Sequence, residues 1–300
     1  MKPSGTRAIE VASPGERLTL RARIWRSSRS ETPSLLLLHA TSFCGAVFEP
    51  LLGAVDDLVT LAVAPDARGH GRSDAPADPV GLSWTALAAD AVAWIDAIEA
   101  PGGLVLAGHS CGATCALAAA AARPGRVLGV FAIEPVLFDP PVSADADSYP
   151  GSRFMAAQAR KRRPWFGSPE EARERLAARP PFSGFDRAAL DAFLDGGLGS
   201  DDGGGVRLLC DPEREAACYE GAGALDPWPG LASILAPVRL LLGDRGFVAP
   251  AFRDRLITEI PGTRIETVAG GTHFVALERP LEVGAALARF VREVTPIRVA

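Results

Sequence analysis

The stretch Leu104-Val105-Leu106-Ala107-Gly108-His109-Ser110-Cys111-Gly112-Ala113 decides the fold. Its four leading aliphatic residues lack any polar alternation, which predicts a strand covered on both faces. The alanine-rich run after Ser110 predicts a helix that stops before Pro124-Gly125. Gly-x-Ser-x-Gly therefore sits on a sharp strand-to-helix turn. Glycine two places to either side lets neighbouring chain pack against a strained serine backbone. The turn lifts the hydroxyl above the sheet and leaves it at a helix N-terminus, whose partial positive charge favours an anionic oxygen. With 31 glycines and 17 serines in 300 residues, about 0.2 such motifs arise by chance, so the flanking strand and helix carry the inference.

Outward from this turn, short aliphatic runs recur at 18–25, 35–39, 59–64, 127–133, 238–242 and 264–268. Helical patterns separate them. Leu87, Ala91, Trp94 and Ile98 recur at spacings of three and four behind Ser83, a candidate N-cap. Pro280 opens a further helix to Val294. Strand alternating with helix predicts an α/β protein with a doubly wound, mostly parallel sheet.

Residues 140–226 break this alternation with polar, arginine-rich, helical text and no clear strand. They divide the chain into a core (1–139), a helical cap insertion (140–226) and the rest of the core (227–300). Ser168-Pro169-Glu170-Glu171 predicts a capped helix start. A short helix over 186–195 is stopped by Gly196-Gly197, glycine-rich 199–205 is expected to be a mobile loop, and Arg160 to Arg163 the solvated face of a cap helix. The cap is expected over the carboxyl edge of the sheet, where open α/β sheets bind ligands.

Composition removes several classes of function. The chain is 48% hydrophobic and 22% charged with a net charge of −5, so it can bury a large core and carries no basic footprint for nucleic acid. The N-terminal residues hold no apolar run of the length of a signal peptide's core, and no run in the sequence reaches that of a membrane span. The five cysteines show no CxxC spacing, and no His, Cys or acidic set has metal-ligand spacing. The expectation is a cytoplasmic protein without membrane, nucleic-acid, metal or cofactor partners; its oligomeric state is left open.

A serine nucleophile needs a base, usually histidine. Of four histidines, His39, His70 and His109 precede Ser110, whereas the order in this architecture is serine, acid, histidine. His273, between the last strand and the last helix, is the remaining candidate. His39 and His70 are expected to be structural hydrogen-bonders near the site.

These residues make the chain resemble the α/β-hydrolase superfamily along essentially its whole length. The matches are His39-Ala40-Thr41, Pro65 through Asp74, Gly108 through Gly112, and Gly271-Thr272-His273-Phe274 with Glu278-Arg279-Pro280. The resemblance implies an eight-stranded sheet. It also implies an oxyanion hole built from the backbone N–H of Cys111 and that of Thr41, with Ser42 as an alternative donor. The family most often places its acid after the strand at 238–242, three residues past the first glycine, where this chain has Gly246; Asp244 lies two residues earlier. Other branches carry the acid one strand after the nucleophile helix, where Glu134 ends an apolar run. Haloalkane dehalogenases and zearalenone lactone hydrolases resemble the chain in using such a displaced glutamate. A carboxylate there needs a partner, and His273 is the natural one.

The expected function is hydrolysis of a carboxylic ester or lactone by Ser110, His273 and Glu134, with Asp244 as alternative acid, through an acyl-enzyme. C–C bond or amide hydrolysis on the same residues is one rival, and a non-catalytic small-molecule-binding protein is another. Phe43, Trp165, Phe166, Phe182 and Phe247 are expected to line an apolar pocket for a medium-sized substrate.

Overall fold

The computed structural model describes residues 3–29, 31–137 and 150–295. An antiparallel hairpin, β1 (Gly5–Ser13) and β2 (Glu16–Arg26), is followed by β3 (Ser34–Leu38), β4 (Leu61–Pro65), α1 (Trp84–Ala97), β5 (Leu104–His109), α2 (Cys111–Ala122) and β6 (Val127–Ile133). The next segment carries α3 (Pro150–Ala159), β7 (Trp165–Phe166), α4 (Pro169–Ala177), α5 (Arg187–Gly197), β8 (Leu198–Ser200), β9 (Val206–Leu208), α6 (Pro212–Glu220) and α7 (Trp228–Leu231). The chain then returns through β10 (Val238–Gly243), α8 (Pro250–Glu259), β11 (Arg264–Val268), α9 (Val275–Glu278) and α10 (Pro280–Val294).

The main sheet has eight strands in the order β1-β2-β4-β3-β5-β6-β10-β11, and only β2 runs against the others. Alternate residues feed two cores. Leu36, Leu106, Val130 and Leu240 pack toward α1 and α2; Leu37, Val105, Phe131 and Leu241 pack toward α10 and the 3₁₀ turns at Gly45–Val55. Burial on both faces is why these strands are continuously aliphatic. β1 escaped the aliphatic pattern because it is an edge strand with mostly exposed or half-buried side chains.

The chain steps from β3 to β4 on one side and then crosses back to β5 on the other side of β3. That switch point opens a crevice at the carboxyl ends of β3 and β5. Register extends the same edge outward: His109 pairs with Ile133, Ile133 with Leu241 and Gly243 with Val268. Residues 39–42, Ser110, Glu134, Asp244 and the loop after β11 therefore share one rim.

Three expectations for the insertion are corrected. It contains strands: β7, β9 and β8 form a small antiparallel sheet. Most of the glycine-rich text at 199–205 is the turn of that sheet's hairpin, closed by Gly204 N–H to Asp201 and Asp201 N–H to Gly205. Strands of two or three residues are too short to show a period, and glycines required by a tight turn look like those of a loose loop. Residues 160–163 lie beyond α3, and the three arginines among them are paired: Arg160 with Glu213 and Glu220, Arg162 with buried Glu215, and Arg163 with Glu171. Among the described residues no helix is long and apolar enough to cross a membrane.

Candidate active site

Ser110 joins β5 to α2 at φ +57° and ψ −121°, a conformation costly for any residue with a Cβ. Close packing enforces it. A Cβ on Gly112 would lie 2.1 Å from the Leu38 carbonyl oxygen, and one on Gly108 2.4 Å from the Gly112 carbonyl oxygen. The nucleophile turn is thus wedged against the end of β3, and Ser110 N–H donates to the Ile133 carbonyl at 2.9 Å.

His273 Nε2 lies 2.9 Å from Ser110 Oγ, and its Nδ1 lies 3.4 Å from Glu134 Oε2. A carboxylate facing Nδ1 places the proton there and leaves the Nε2 lone pair toward the hydroxyl. Burial pushes the imidazole down to about 3, so it is neutral at pH 7. Phe247 stacks on its ring with centroids 4.0 Å apart. Beneath it, His109 Nε2–H donates to the His273 carbonyl at 2.7 Å, anchoring the loop.

Glu134 is fully buried, with a left-handed backbone at φ +46°. Oε1 accepts from Gly243 N–H at 2.8 Å, and burial raises the carboxyl above its ordinary range. Its carboxylate fills the space beside Gly246, where a Cβ would fall 2.0 Å from Oε1. The position at which the family most often carries its acid is vacant of a side chain because Glu134 occupies that volume. Asp244 instead accepts from Gly270 N–H at 2.8 Å, a loop-closing role.

Residues 40–43 form a turn closed by Phe43 N–H to the Ala40 carbonyl, with Ser42 third in the turn at φ +81°. Non-glycine residues pay roughly 1–2 kcal/mol for this region. Ser42 N–H donates to His70 Nε2 at 3.2 Å and is therefore already engaged. Cys111 is the first residue of α2, whose N–H has no intrahelical acceptor. His39 holds the same loop: Nδ1–H donates to the Ala40 carbonyl, and Nε2 accepts from Ala67 N–H.

A cavity of about 430 Å³ opens over Ser110 and His273. Thr41, Phe43 and Phe247 line it, as do Trp84, Met155, Tyr219 and Phe274, which sequence reasoning did not single out. Three expected wall residues lie elsewhere. Trp165 is 54% exposed beneath the Arg163 guanidinium, Phe166 is buried in the core, and Phe182 packs in an aromatic cluster behind Phe43. Nothing in an aromatic's sequence position distinguishes a wall from a core residue. Among the described residues, no group of three His, Cys, Asp or Glu side chains could hold a metal ion.

The alpha/beta hydrolase family model matches residues 35–286. The chain belongs to that family. The 2-(acetamidomethylene)succinate hydrolase of Mesorhizobium japonicum is 29% identical over 279 residues, covering 92% of each chain. A crystal structure of E-2-(acetamidomethylene)succinate hydrolase superposes with a TM-score of 0.76 at 27% identity, over 96% of this chain and 100% of that one. Esterase YbfF of Escherichia coli is 24% identical over 92% of this chain and 100% of its own. Hydrolysis is common to all three names, and the chain is a hydrolase on this alpha/beta fold.

Proposed function

We propose that the protein is a serine hydrolase that cleaves a carboxylic ester or lactone of a medium-sized, uncharged, largely apolar substrate. The observation that carries this reading is the 2.9 Å approach of neutral His273 Nε2 to Ser110 Oγ at the floor of the cavity.

In the mechanism, His273 takes the Ser110 proton as Oγ attacks the carbonyl carbon. The resulting oxyanion accepts from the Cys111 and Thr41 amides, each worth roughly 3–4 kcal/mol to the barrier. Glu134 orients the imidazole and stabilises its cationic form, at which point the 3.4 Å contact becomes a charge-assisted hydrogen bond. His273 then protonates the leaving alcohol, and the acyl-enzyme is hydrolysed by water activated at the same nitrogen. No step calls for a metal or organic cofactor. Residues 140–226 act as a cap that supplies one wall.

The charge of the cavity supports an uncharged substrate. Among the described residues its lining includes no lysine or arginine. The named substrate of the Mesorhizobium relative is a succinate. A dicarboxylate entering this cavity would find no counter-charge among the described lining residues. The acetamido group in that name keeps amide cleavage as a second reading.

A fluorophosphonate should phosphonylate Ser110 Oγ with loss of fluoride and abolish turnover of p-nitrophenyl hexanoate, whereas Ser110→Ala should neither label nor turn over. Kinetics on neutral hexanoate esters, hexananilide and succinate hemiesters separate the readings. Faster cleavage of the anilide would favour the amidase, preference for the succinate would overturn the uncharged class, and ligand binding unimpaired by Ser110→Ala with no turnover of any panel member would favour a binding protein.

A further inference from the structure

Among the described residues, the polar side-chain contacts from the insertion to the turn that carries Thr41 come from one face of one helix. Glu215, Cys218 and Tyr219 are spaced i, i+3 and i+4 on α6, so their side chains project together. Ser42 Oγ donates to Glu215 Oε1 at 2.6 Å and lies 3.2 Å from the Tyr219 hydroxyl. Thr41 Oγ1 lies 3.4 Å from Cys218 Sγ. Glu215 is 4% exposed, and its other oxygen accepts from Arg162 at 2.6 Å. Arg162 also lies over the ring of Phe182, 5.7 Å from its centroid. A buried carboxylate with its own counterion, spent on a single serine hydroxyl, is an expensive arrangement if that serine does nothing.

Ser42 explains the expense. It sits third in a turn at φ +81°, where L-residues are disfavoured and glycine is the usual occupant. Left alone, the peptide before it would tend to flip toward a conformation comfortable for a Cβ. Two anchors prevent this: His70 takes the Ser42 N–H and Glu215 takes its hydroxyl. Both ends of Ser42 are then immobile, and so is the backbone of Thr41 just before it.

We propose that Glu215, held by Arg162, is a positioning residue: it locks Ser42 in its left-handed conformation and so aims the Thr41 amide at the oxygen of a carbonyl bound on Ser110. This rests on the serine-hydrolase reading above. The oxyanion hole is complete only when α6 is seated, which ties activity to docking of the insertion.

The glycine rule supplies the test. Ser42→Ala removes the hydroxyl but keeps the strained Cβ, whereas Ser42→Gly removes the hydroxyl and the strain together. The expected result is a fall of tenfold or more in kcat and in the rate of fluorophosphonate labelling for Ser42→Ala, with KM changed less than threefold. Ser42→Gly should recover most of that loss. Glu215→Gln, which keeps an acceptor but not the charge, should fall between, and pairing it with Ser42→Ala should add nothing to the loss. Melting temperatures measured alongside show whether each variant is folded. Equal impairment of the alanine and glycine variants, or a change confined to KM, overturns the proposal. Wild-type rates in Ser42→Ala overturn it alone. Failure of the wild type itself to label overturns the hydrolase reading and takes this one with it.

Discussion

Glu134 and Gly246 are two halves of one decision. A carboxylate delivered from β6 occupies the space that a side chain at 246 would need, so each residue explains the other. Glu134→Gln should lower kcat by two or more orders of magnitude, because an amide neither fixes the imidazole's proton on Nδ1 nor stabilises the cation. Asp244→Asn should retain most activity, since its carboxylate only closes the loop at Gly270. Steady-state kinetics on both variants check this, and the reverse pattern would move the acid to Asp244. Gly246→Ala should also depress kcat sharply while leaving Ser110 in place, because its methyl can be admitted only by displacing the carboxylate. The base carries its own pH signature. A histidine active in its neutral form and pushed down by burial works on the acid side of the ordinary value of 6.5. kcat/KM should therefore stay level from pH 8 to pH 6, and an acid limb centred at 6.5 would contradict the burial argument.

At the scale of elements, the nucleophile turn and the insertion behave differently. Gly112 lies where α2 meets the end of β3 with no room for a methyl group, and the backbone oxygen it would strike cannot rotate away. Gly112→Ala should cost several kcal/mol, on the scale of other severe packing errors, and a thermal melt within a few degrees of wild type would refute this. The aromatics expected to line the pocket divide by contact rather than by type. Phe247 stacks on His273 and lines the cavity, so Phe247→Ala should raise KM severalfold; Trp165, exposed beneath Arg163, should tolerate alanine with KM within twofold. The strand-helix alternation, the turn at Ser110 and the helix from Pro280 to Val294 were legible because each has a period or a punctuating residue. β7, β8 and β9 were not, since their pairing is decided between segments that are individually too short to carry a pattern.

The whole molecule buries all four of its histidines, and three are fixed as neutral tautomers by their partners. His39 and His70 each donate from Nδ1 to a carbonyl and accept at Nε2 from a backbone N–H, and His109 donates from Nε2 to the His273 carbonyl. Burial pushes His39 and His70 down to about 4 and His109 and His273 to about 3. An unfolded chain binds these protons near 6.5 and the folded one does not, so the stability they contribute is complete above 6.5 and lost as pH falls below it. Well below 6.5 each costs about 1.4 kcal/mol per pH unit, at most roughly 6 kcal/mol per unit for the set, against a total stability of order 10 kcal/mol. Asp66 and Asp90, raised by burial, offset part of this on the acid side. Calorimetric melts should fall steeply between pH 6 and pH 5, with uptake of several protons on unfolding; an unchanged Tm across that interval would overturn the account.

By itself the sequence determined the α/β architecture, the serine on its strained turn and the one histidine downstream of it, because periodicity, glycine punctuation and chain order are written along the chain. Tertiary structure alone decided which carboxylate faces His273, which aromatics wall the cavity, and that Ser42 is taken by His70 and Glu215. Those choices depend on which atoms share a volume after folding. Residues 134 and 246 stand 112 positions apart, and only in space do they compete for the same few ångströms.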